Sequence, residues 1–66
     1  MLKINDRDHL EWREGMTVRD VLDAMGYTYA LITVTVDGNL VEQEDYEHRR
    51  VADGSELNIF HLAHGG

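Results

Sequence analysis

Gly65 and Gly66 set two residues without a Cβ beside a terminal carboxylate, and this pair is where chemistry would concentrate. Such a pair threads a groove too narrow for any side chain, and the Gly66 carboxylate then lies within reach of an enzyme that activates acids. The competing reading is a frayed tail with no role, so the rest of the chain has to decide between them. With no cysteine there is no thiolate nucleophile and no thiolate metal ligand, and any sulfur or acyl chemistry must be carried by another group. His61 and His64 form an H-x-x-H pair, with His9 and His48 elsewhere. Three positions apart at a strand end they fall on opposite faces, and no acidic ligand has a fitting spacing, so no metal site is expected. His64 is instead placed to pair with the neighbouring terminal carboxylate.

Sixty-six residues make one small domain with a thin core, too small for a large internal active site. Thirteen Asp and Glu against six Lys and Arg give a net charge of −7, which repels nucleic-acid phosphates and anionic lipid. A protein partner with a basic face fits better. The run Glu42, Glu44, Asp45, Glu47 is read either as a steering surface for such a partner or as a solvated face. No stretch approaches the ~20 apolar residues that cross a bilayer, and the first residues carry no long apolar segment. A soluble cytoplasmic protein is therefore expected, monomeric on its own.

The elements that must position the tail follow from periodicity. Leu2 and Ile4 alternate with Lys3 and Asn5, the turn formers Asn5 to Asp8 follow, and Leu10 and Trp12 alternate with Glu11 and Arg13. This predicts a hairpin. Thr17 stands as an N-cap with Asp20 in the first turn, and Val18, Val21, Leu22 and Met25 make one helical stripe that Gly26 terminates. Leu31 to Val36 is a β-branched alternating strand expected in the sheet interior, Asp37-Gly38 a tight turn, and Leu40-Val41 a short returning strand. Residues 42–50 are too polar for core and read as an irregular or one-turn helical connection pinned by Tyr46. After the Asp53-Gly54 turn, Glu56 to Leu62 is a last strand with Leu57 and Ile59 on one face and Asn58, Phe60 and Leu62 on the other. The predicted order is ββαβ(β)β, an α+β fold in which a mixed sheet of four to five strands wraps one main helix. The helix stripe should bury against Leu2, Ile4, Val34, Val36, Leu57 and Ile59. Phe60 and Leu62, on the face away from that core, are expected to dock a partner together with His64, the alternative being that one of the two covers a core edge of so small a domain.

Three stretches resemble the ubiquitin-like β-grasp sulfur carriers of the ThiS/MoaD family, most closely the thiamine-biosynthesis type. They are Gly15-Met16-Thr17-Val18-Arg19-Asp20-Val21-Leu22, then Val34-Thr35-Val36-Asp37-Gly38-Asn39-Leu40-Val41, and Asp53-Gly54 followed by a strand into Gly65-Gly66. Their order, spacing and terminal placement carry the resemblance, which spans nearly the whole chain. The chain departs from the family pattern at Ser55 after Asp53-Gly54, at Glu42 where a proline is common, and at His64 where a small or apolar residue is common.

The resemblance implies a β-grasp domain over residues 1–62 and a flexible tail over 63–66. It further implies a protein co-substrate and not an enzyme. A ThiF/MoeB-like adenylating enzyme would use MgATP to adenylate Gly66, with Gly65 beside it. A sulfur donor would convert the adenylate to a thiocarboxylate, and thiazole synthase (ThiG-like) or another acceptor would take the sulfur. The chain itself would bind no cofactor. The alternatives are a protein modifier joined to lysines, a carrier for molybdopterin, cysteine or another pathway, and a non-covalent β-grasp interaction module.

Overall fold

A computed structural model describes residues 1–27 and 32–61. Among these residues, five strands, one α-helix and one 3₁₀ turn follow each other as β1 (Leu2–Ile4), β2 (Asp8–Leu10), α1 (Val18–Met25), β3 (Ile32–Val36), β4 (Asn39–Val41), the 3₁₀ turn Gln43–Asp45, and β5 (Glu56–His61). The sheet order is β2-β1-β5-β3-β4. β1 and β5 run parallel, and the other neighbours are antiparallel. This is the α+β arrangement anticipated from the pattern, and the β-grasp fold that the resemblance implies. β3 is interior as expected, flanked by β5 and β4, but the middle strand is β5.

The helix forms where its ends are chemically specified. Thr17 caps it in an extended conformation, its hydroxyl accepting from the Asp20 amide while the Asp20 carboxylate accepts from the Thr17 amide, a reciprocal capping box. The next orphan amides are also satisfied: Val18 donates to the Arg49 carbonyl and Arg19 to the Tyr46 carbonyl, each at 2.9 Å. The polar connection after β4 is therefore what closes the helix N-terminus. At the other end Gly26 takes φ 80°, and the Gly26 and Tyr27 amides donate to the Asp23 and Leu22 carbonyls, a Schellman arrangement.

The stripe Val18, Val21, Leu22 is buried against Leu2, Ile4, Val34, Val36, Leu57 and Ile59, as its spacing requires, while Met25 is only partly covered. Full burial contributes about 1.5–3 kcal/mol for each large apolar side chain. Met16, Val41, Tyr46 and Val51 join the same core. Tyr46 is 4% exposed, so it does pin the 42–50 connection. Burial, with the Glu42 carboxylate adding to it, pushes the Tyr46 hydroxyl pKa up.

The hairpins differ in one respect from the expectation. Asp37 and Gly38, at φ 51° and 86°, form a two-residue turn closed by the Val36 and Asn39 pair, the type I′ geometry that matches strand twist. In the first hairpin β2 stops at Leu10 and does not extend to Arg13. Leu10 pairs with Leu2, the first residue of β1, so residues beyond it meet no further β1 partner. Trp12 leaves the strand and its indole Nε1–H donates to the Val51 carbonyl at 2.8 Å. Leu31 and Leu62, the remaining predicted strand ends, lie outside the described residues, as does the proposed tail 63–66.

Candidate functional site

β5 is the element that leads to Gly65-Gly66, and its environment changes along its length. Its first residues are bonded on both sides, with Glu56 and Leu57 opposite Lys3 and Ile4 of β1 and Leu57 opposite Val36 of β3. Its last residues pair with β3 alone, through Ile59↔Val34, Phe60↔Thr33 and His61↔Ile32. On the other side β1 turns away at Asn5. There the Asn5 amide donates to the Leu57 carbonyl at 2.8 Å, and the Asn5 side-chain oxygen accepts from the Ile59 amide at 2.6 Å.

Alternation along β5 decides which face each side chain takes. Leu57 and Ile59 are buried under α1, whereas Phe60 projects from the opposite face and is 52% exposed. The strand registers place Thr33 opposite Phe60 and both Asn58 and Leu40 opposite Thr35. Directly opposed residues share a face, so Phe60 and Leu40 belong to one outer surface, separated by Thr33, Thr35 and Asn58. Leu40 is 61% exposed. Two exposed large apolar side chains on one sheet face are a surface that a protein partner can cover. Leu40 was legible only as a strand residue in the sequence, although counting register across the Asp37-Gly38 turn would have placed it beside Phe60's face.

The same face becomes polar toward β1 and β2. Lys3 lies opposite both Glu56 and His9, and its ammonium is 2.8 Å from the Asp6 carboxylate and 3.9 Å from Glu56. The hydrogen bond to Asp6 and its charge hold the Lys3 pKa up and, reciprocally, the Asp6 pKa below the usual carboxylate value. All these groups are solvent-exposed, and the effect on stability is correspondingly small.

Glu42, Glu44, Asp45 and Glu47 are exposed around the 3₁₀ turn, and Glu47 pairs with Arg19 of α1. The surface clefts there, about 330 Å³ lined by Leu40, Val41, Asp45, His48 and Arg49 and about 200 Å³ lined by Arg19, Gln43, Glu44, Tyr46 and Glu47, are open grooves. Neither sets a nucleophile beside a base. Of the residues singled out in the sequence, Phe60 is exposed on the outer face of β5. Leu62, His64, Gly65 and Gly66 lie outside the described residues.

The sequence model of the ThiS family matches residues 2–66. Among solved structures, the chain is similar to the crystal structure of a thiamine biosynthesis protein (ThiS) from Geobacter metallireducens, with a TM-score of 0.78, 25% identity, and coverage of 98% of this chain and 97% of that one. An NMR solution structure of a thiamine biosynthesis protein from Geobacter metallireducens superposes with a TM-score of 0.78 at 24% identity, covering 98% and 86% of the two chains, which bears on the fold alone. The family model spans residues 2–66, both glycines included, and on that basis the chain belongs to the ThiS family.

Proposed function

We propose that this protein is a sulfur carrier whose Gly66 carboxylate is the point of attachment. The observation that carries the reading is that the ThiS match extends through residue 66, so the two glycines fall inside the family pattern and not beyond it. The central position of β5 supports it, because the strand leading to the glycines is held in the middle of the sheet with an exposed apolar residue, Phe60, close to its end.

The chemistry follows from what a carboxylate lacks. It is a poor electrophile until one oxygen is joined to a good leaving group. A ThiF/MoeB-like enzyme, holding MgATP, would let the Gly66 carboxylate attack the α-phosphate, forming an acyl-adenylate and releasing pyrophosphate. A sulfur donor then displaces AMP at the acyl carbon and leaves a thiocarboxylate, which stays ionised near neutral pH and is a soft nucleophile. In this account the chain is a co-substrate and binds no cofactor of its own. Phe60, Leu62 and His64 contact the activating enzyme, and Gly65 allows the close approach that Gly66 needs. Thiazole formation, through a ThiG-like synthase, is the acceptor reaction that best fits the thiamine-type relative.

Incubation with MgATP, sulfide and a ThiF-like enzyme, read by intact mass, tests this. Exchange of one oxygen for sulfur raises the mass by about 16 Da. Covalent ladders on lysines would mean a protein modifier, and no change with any adenylating enzyme would leave a non-covalent module.

A further inference from the structure

The turn after β1 could have been made by glycine. Asn5 and Asp6 take φ 54° and 58°, a region that asparagine and aspartate tolerate and glycine adopts freely. Asparagine adds a side-chain amide that glycine lacks, and both ends of that amide are used. Its oxygen accepts from the Ile59 amide of β5 at 2.6 Å, and its nitrogen donates to the Tyr27 hydroxyl at 3.0 Å. Tyr27 is itself fixed by the Schellman turn that ends α1, its amide donating to Leu22 at 2.9 Å. The Asn5 side chain thus stands where a longer β1 would have bonded to β5, and it ties that position to the end of the helix. Ile59 lies two residues before the end of β5, on the half of the strand that otherwise pairs with β3 alone.

We propose that Asn5 is a positioning residue for the reaction at Gly66: its side chain latches the second half of β5, the strand that precedes Gly66 in the chain, to the end of α1. The role in charging rests on the sulfur-carrier reading, while the latch itself does not. Adenylation requires the acid group to sit in a near-attack arrangement, so freedom at the base of the tail lowers the rate of the step.

Asn5→Gly deletes the side chain while keeping the turn's backbone preference. Amide hydrogen exchange by NMR should show Ile59 exchanging about tenfold faster, as expected for loss of one hydrogen bond from a local opening equilibrium, with Val21 and Leu22 of α1 unchanged. The kcat of charging by a ThiF-like enzyme should fall about fivefold with KM little altered. Asn5→Asp, which keeps an acceptor for the Ile59 amide, offers its second oxygen to the Tyr27 hydroxyl as donor and tolerates the same backbone, should restore both. Unchanged exchange at Ile59, acceleration equal to that at Val21 and Leu22, or unchanged charging in Asn5→Gly would each overturn the proposal. If the wild-type chain fails to charge, the sulfur-carrier reading falls together with the role in charging, and the exchange data still decide whether the latch exists.

Discussion

Replacing Phe60 with alanine separates docking from folding, because its neighbour Ile59 on the same strand supplies the contrast. Ile59 is 5% exposed and Phe60 52% exposed, on opposite faces of β5. Truncating a buried isoleucine costs about 2–5 kcal/mol through lost transfer energy and the cavity left behind. With half its surface already in water, Phe60 loses only about half of an aromatic side chain's 1.5–3 kcal/mol, or about 1 kcal/mol. For a domain of this size each kcal/mol moves the midpoint of thermal unfolding by about 4–8 °C. Urea denaturation should therefore rank Ile59→Ala well below Phe60→Ala. Charging should show the reverse sensitivity: an aromatic anchor at an interface is worth at least about 1 kcal/mol, so KM for the adenylating enzyme should rise about fivefold or more in Phe60→Ala. A stability loss in Phe60→Ala equal to that of Ile59→Ala would mean that Phe60 belongs to the core. An unchanged KM would remove it from the docking surface.

Thr17→Ala breaks the capping box and should cost about 1 kcal/mol in urea denaturation, with no change in the charging reaction. Trp12→Phe deletes the donor to the Val51 carbonyl and should cost about the same, read as a lower midpoint of unfolding. Asp6 should titrate below its ordinary value of 3.8 by carbon-detected NMR, and Lys3→Met should return it toward that value. Because the folded value is the lower one, the Lys3 and Asp6 pair stabilises the fold above the ordinary carboxylate range, and that contribution disappears as pH falls through the depressed value. Changing Glu42, Glu44 and Asp45 to glutamine should flatten the salt dependence of association with the adenylating enzyme if this run steers the encounter, and leave it unchanged if the run is only a solvated face.

The helix was the most legible element, because Thr17, the four-residue stripe and Gly26 each carry a local signal for start, burial and stop. Asp20 was legible only as a first-turn residue, and the structure adds its reciprocal bond to the Thr17 amide. The end of β2 was not legible: Leu10 and Trp12 alternate correctly, but strand length depends on what β1 offers opposite. Val51 and Met16 were invisible as core residues, since single apolar positions in polar stretches have no period. Their burial comes from the 42–51 connection folding onto the start of α1, where the Val51 amide donates to the Met16 carbonyl at 2.9 Å. The parallel pairing of β1 with β5 likewise joins segments more than fifty residues apart and leaves no trace in local alternation. The outward exposure of Phe60 was legible from the period of two along β5. Asn5 was not, because its composition signal is spent on the turn and says nothing of the Ile59 amide that its side chain reaches.

The most direct measurement is fragment mass spectrometry of the chain after incubation with MgATP, sulfide and a ThiF-like enzyme. Sulfur-carrier function predicts a gain of about 16 Da confined to the fragment containing Gly65 and Gly66, absent from a chain lacking Gly66. A gain located elsewhere in the chain, or one that survives deletion of Gly66, would contradict it.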